Sequence, residues 1–199
     1  GRLHGWRDIA RSTDERTAIF TSLLFAAVGH TMPIIRSHNG LELDSLTAAL
    51  SSFAADYVAR QKVAGTHLTY GYVHQFAVPA PDTFLVSQSG TDITMGQWLK
   101  ERTDALSGWN QVVPQPEVRG VLRAEIDAAF MHVYGIDRPD VEHILETFPL
   151  VKKKDLAAHG TYRTKDLILE VYDAMQRAID TGVPYESPFD SALAAAKGS

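Results

Sequence analysis

The 199-residue chain contains no cysteine, which excludes disulfides and thiolate metal sites and suits a reducing compartment. Long apolar runs are missing as well. The longest, 19–28, is interrupted by Thr21 and Ser22 and falls short of the roughly 18–20 residues a membrane helix needs, so no span is expected. There is no glycine-rich phosphate loop. Gly90, Gly96, Gly108 and Gly120 stand alone, which leaves nucleotide binding unsupported. Ser22, Ser45, Ser51 and Ser87 lack the Gly-x-Ser-x-Gly setting of a hydrolase nucleophile. Eight histidines are present, but none forms the paired helical spacing of a zinc hydrolase. His30 and His67 follow glycines closely, in loop-to-strand settings where a hydrogen bond is the ordinary role. A surplus of basic charge is absent too: the net charge of −5 rules out a uniformly basic surface and leaves only local patches.

What is present is an ordinary globular composition, 45% hydrophobic and 22% charged. The first residue is not Met, no signal core follows it, and the end reads Ala-Ala-Ala-Lys-Gly-Ser, so the chain is expected to be a piece of a longer cytoplasmic protein. Residues 6–10 and 17–25 have strand character around the polar turn 12–15, and Pro33 makes the next segment an edge or irregular strand. From Asp44, a candidate N-cap, apolar residues at Leu46, Leu50, Phe53, Ala54 and Tyr57 predict one helix reaching about Lys62. Gly65 then suits a left-handed turn. Alternation of Leu68, Tyr70, Tyr72 and Phe76 predicts a strand closed by Pro79 and Pro81.

Further on, a helix is expected over about 94–106, then a loop carrying Trp109, Pro114 and Pro116. The stripe Val118, Leu122, Ile126, Ala129, Phe130 and Val133 predicts a helix capped by Gly135. Asp137 with Pro139 starts a short helix that Pro149 stops, and Ile168, Val171, Tyr172, Met175 and Ile179 predict another that ends at Gly182. The fold expected is α+β: a small, partly antiparallel sheet crossed by a helix (1–116), followed by a helical subdomain (117–199).

The recognition chemistry gathers at two places. The 44–62 helix ends on Arg60 and Lys62, and the turn beyond it carries Thr66, His67 and Thr69, which are suitable donors to phosphate oxygens or base edges. Lys152, Lys153, Lys154, Arg163 and Lys165 form a second basic window. By physical chemistry alone, a plain helix-to-strand turn and a solvated charged face account for both somewhat better.

A resemblance alters that balance. Asp14-Glu15-Arg16-Thr17, Gly29-His30-Thr31 and the run 53–70, with Asp56-Tyr57-Val58-Ala59-Arg60-Gln61-Lys62 and Ala64-Gly65-Thr66-His67, resemble the C-terminal target-recognition region of large N6-adenine DNA methyltransferases. These belong to Type IIG restriction-modification enzymes and related phage-defence methylases. Phe76-Ala77-Val78-Pro79-Ala80-Pro81 is similar to the strand and proline exit of such domains, including those of Type I specificity subunits. Residues 122–130, Tyr134-Gly135, Glu146-Thr147-Phe148-Pro149 and 160–165 look like the helical tail of the same proteins. The blocks are patchy, collinear, and cover most of 13–185. The family has Gly-Gly before Thr-His, where this chain has Ala64-Gly65.

The resemblance implies a double-stranded DNA target and a catalytic methyltransferase domain as partner within the parent chain. S-adenosylmethionine is implied as the parent's cofactor and none for this piece. The Asn/Asp-Pro-Pro-aromatic motif that holds a flipped adenine is absent, so no catalytic residue carries over and the piece is not expected to be catalytic alone. Arg60, Lys62, Thr66, His67 and Thr69, with Lys152, Lys153, Lys154, Arg163 and Lys165 as a second patch, are the expected DNA contacts. The alternative is a module that docks the parent's catalytic domain without touching DNA. A small stand-alone hydrolase using its histidines is a third reading.

Overall fold

The computed structural model describes residues 2–37, 43–108 and 115–191. Trp6 is the anchor of the N-terminal sheet. Its strand β1 (Arg2–Trp6) lies between β2 (Phe20–Leu24) and the short β3 (Ile34–Ile35), both antiparallel to it. Trp6 is buried, packs against Phe20 and Tyr70, and donates its indole N–H to the carbonyl of Leu68 at 2.6 Å. The fold is α+β, as the sequence predicts, and Ile34-Ile35 forms an edge strand just after Pro33.

The single helix expected over 44–62 is two, α1 (Leu43–Ser51) and α2 (Phe53–Lys62). Ser52 breaks it. Its hydroxyl donates to the carbonyl of Ala49 at 2.7 Å and accepts from the amide of Ala55 at 3.2 Å, capping α2. The amide of Phe53 turns away to the carboxylate of Asp127, 2.7 Å off. Asp44 lies inside α1 and serves as an ion-pair partner of Arg2 and Lys100. α1 crosses the sheet, with the Ser51 hydroxyl donating to the carbonyl of Phe20 at 2.9 Å.

Two further expectations are corrected here. Gly65 does not adopt a left-handed conformation; the chain leaves α2 through Val63 in extended geometry. The strand expected over 68–76 is instead one helical turn, α3 (Tyr70–Val73), preceded by an isolated bridge between Ile9 and His67. The amides of Tyr72 and Val73 both bond to the carbonyl of Thr69, which closes the turn. Leu68, Tyr72 and Phe76, spaced by four, fit a helical face as well as a pleated one, and all three pack into the cluster around Trp6. Pro81 opens a 3-10 turn, Pro81–Leu85.

α4 (Met95–Ser107) begins with a capping box between Thr94 and Gln97 and ends at left-handed Gly108. The expected loop residues Trp109 and Pro114 lie outside the described residues, and Pro116 is the first residue of α5 (Pro116–Val133). α6 (Arg138–Glu146) is capped by Asp137, whose side chain accepts from the amide of Asp140. Pro149 starts a helix: α7 (Pro149–His159) carries the lysine run. α8 (Arg163–Thr181) ends at left-handed Gly182.

The boundary expected at 116/117 does not divide the core. Ala48, Ala49, Phe53 and Ala54 from α1 and α2 share one buried cluster with Phe130, Leu145, Phe148 and Tyr172. A second, polar core lies beside α4. Arg102, fully buried, bonds Glu125 at 2.8 Å and Asp190 at 3.0 Å while stacking on Trp98; Tyr185 donates to Glu125 at 3.0 Å. This clamp holds the segment around Phe189 against α4 and α5.

Candidate nucleic-acid interface

Helix α2 directs the side chains of the resemblance inward. Asp56, fully buried, accepts from the backbone amides of Thr17 and Ala18, both at 3.0 Å, and pairs with Arg16 at 2.5 Å. Arg60, one turn later, donates to the carbonyls of Asp14 and Glu15 and lies 4.1 Å above the ring of Phe148. Its side chain keeps 10% of its surface. Burial pulls its guanidinium below the ordinary arginine pKa, with Asp56 opposing. Arg60 is therefore a structural tie and not the surface contact expected.

The rest of that element is on the outside. Thr66, His67 and Thr69 are exposed, and Lys62 is half-buried. Nδ1 of His67 sits 2.6 Å from the carboxylate of Asp8, which orients the ring. Thr69 has its carbonyl engaged by α3 and its side chain exposed.

The lysine window is mostly neutralised. Lys152 pairs with Glu146 at 2.6 Å, Lys154 with Glu15, and Lys165 with Glu146 at 2.6 Å and Glu142 at 3.3 Å. Those three are held within the protein's own ion pairs, against the expectation of a free phosphate-facing patch. Lys153 and Arg163 are exposed and have no hydrogen-bond or ion-pair partner among the described residues.

Arg163 belongs to a different feature, which sequence reading missed. β2, α1, the end of α4, α5, α7 and the start of α8 surround an open groove of about 1040 Å³. Five arginines line it: Arg7, Arg16, Arg119, Arg123 and Arg163. Arg7 pairs with Asp14 at 3.2 Å, Arg16 is held by Asp56, and Arg119 donates to the carbonyl of Leu106 at 3.0 Å. Arg123 and Arg163 have no such partner among the described residues. Desolvation, then Arg119 and Arg16, lower the pKa of Arg123, with Asp127 opposing.

Most carboxylates along the groove are engaged. Glu15 bonds Lys154, Asp44 bonds Arg2 and Lys100, and Asp155 accepts from the amide of Thr164 at 2.5 Å. Asp127 is buried against the amide of Phe53, and desolvation raises its pKa to about 6. Glu117 alone of the lining carboxylates has no such partner among the described residues. The signal available in the sequence was the i, i+4 pair Arg119 and Arg123 along the edge of the apolar stripe of α5.

Among the described residues no group of three or more His, Asp or Glu is placed to hold a metal ion, and no helix is long and apolar enough to cross a membrane. No family model, no curated protein and no solved structure matches the chain.

Proposed function

We propose that the chain is the DNA target-recognition region of a larger S-adenosylmethionine-dependent adenine methyltransferase or restriction-modification protein. The reading rests on the resemblance, and one observation supports it above the others. Three of the resembling blocks, far apart in sequence, meet at one junction: Asp56 and Arg60 fasten the Asp14-Glu15-Arg16-Thr17 turn, and Arg60 covers Phe148. Collinear fragments that interlock this way are what a shared fold would leave.

On this reading the parent's catalytic domain supplies the cofactor pocket and the chemistry, and this region supplies affinity and choice of site. The exposed Thr66, His67 and Thr69 are its candidates for base-edge or phosphate contact. The test is a fluorescence-anisotropy titration of duplex DNA over a salt series. Log affinity should fall linearly with log salt. A flat response sinks the reading.

A second reading, docking of the catalytic domain, is favoured by exposed apolar side chains. Leu85, Val86, Ile179 and Val183 are each more than half exposed, around the place where Ser89 bonds the end of α8. Charged substitutions at Ile179 and Val183 that release a co-expressed catalytic domain, with DNA retention unchanged, would support it.

A further inference from the structure

Resting on the DNA reading above, we propose that the wall of the large groove formed by Arg119, Arg123 and Arg163 is a phosphate-binding track for the sugar-phosphate backbone of duplex DNA. Two observations and one chemical preference carry this. Arg119 and Arg123 are one turn apart on α5, and Arg163 opens α8 across the same groove, so cations from two helices face one space. Arg123 and Arg163 have no carboxylate or carbonyl partner among the described residues, although the protein pairs Arg2, Arg16, Arg102 and Arg138. A guanidinium fork left open in a groove matches a phosphate better than any other common group, because two parallel N–H donors meet two oxygens.

The groove, about 1040 Å³, is larger than most small-molecule pockets, which run from roughly 300 to 1,000 Å³. Asp14, Glu15 and Asp44 are paired with cations, while Asp127 and Asp155 bond only backbone amides and Glu117 has no partner among the described residues, so the open arginines act as individual phosphate forks and not as a uniformly positive wall. The lysine window on the outer face of α7 offers less, because Lys152 and Lys154 are already neutralised. No geometry here reads a base, so the track positions DNA and leaves sequence choice to other residues.

Two measurements on the 199-residue chain test this. In the first, Arg123→Ala and Arg163→Ala together should reduce the salt slope of duplex binding by about 1.8, or about 0.9 per arginine, with equal effect on every duplex sequence. Lys153→Ala should change the slope less. In the second, arginine Nε–H NMR signals are followed during titration with inorganic pyrophosphate and with a short duplex. Movement of Arg119, Arg123 and Arg163 with both ligands supports the track. If the duplex binds with these signals still and the slope unchanged, the track is wrong and the DNA reading stands. If pyrophosphate moves them and DNA does not bind, the groove holds a free phosphate compound, and both the backbone assignment and the DNA reading fail. If the duplex does not bind and neither ligand moves these signals, both fail.

Discussion

Replacement of Arg60 by alanine separates a structural tie from a DNA contact. The guanidinium donates to the carbonyls of Asp14 and Glu15 and, at a long 3.5 Å, to that of Thr147; loss of each of the two short bonds from this charged donor costs about 1.5–3 kcal/mol. Its stacking on Phe148, 4.1 Å from the ring centre, adds about 0.5–2 kcal/mol. Against these, the variant no longer has to desolvate a cation, a penalty of several kcal/mol in a buried setting. Asp56 keeps Arg16 as its partner. The balance is a loss of about 3 kcal/mol, read from the urea midpoint at constant slope. For a chain of this size that is a fall in Tm of roughly 6–12 °C. The salt slope of DNA binding, measured well below the new Tm, should not change. A stability loss under about 1 kcal/mol, or a slope reduced by about 1, would refute the assignment of Arg60 to the interior.

Three other substitutions follow from the same geometry. Ser52→Ala removes the cap of α2 and should cost about 1 kcal/mol, seen as a shifted urea midpoint. Arg102→Leu leaves Glu125 buried without its cation and should cost about 3–5 kcal/mol, enough to make thermal melts the practical assay. The buried Asp127 has its pKa raised to about 6, above its ordinary value, so its neutral form stabilises the fold at low pH and that contribution is lost as pH rises from about 4 through about 6. Asp127→Asn keeps an acceptor for Phe53 and should flatten that part of the pH profile of unfolding; an unchanged profile would count against it.

Elements marked by local chemistry could be read from the sequence. Asp137 with Pro139, and Gly182, each set a helix end within a few residues, and the structure agrees at both. The break at Ser52 could not be read that way, because the amide it frees is taken by Asp127, 74 residues away. α7 was missed for a different reason: Val151 is its one buried residue, so no apolar period announces it. The strand expected at 68–76 failed because a spacing of four satisfies both periods. At the candidate site, residue type pointed to basic recognition, but the direction of each side chain was not legible. Arg60 points inward and Lys152, Lys154 and Lys165 meet acids on other segments, while the free arginines come from helices 40 or more residues apart in the chain.

The Arg102 clamp also has a consequence in time. Asp190 lies 88 residues after Arg102, so on a ribosome adding about 5–20 residues per second the cation waits roughly 4–18 s for its second carboxylate. Glu125 arrives sooner, 23 residues on. Until Phe189 and Asp190 follow, Ala105, Leu122 and one side of the guanidinium lack their cover, so the end of α4 is among the last parts of the nascent chain to be sealed.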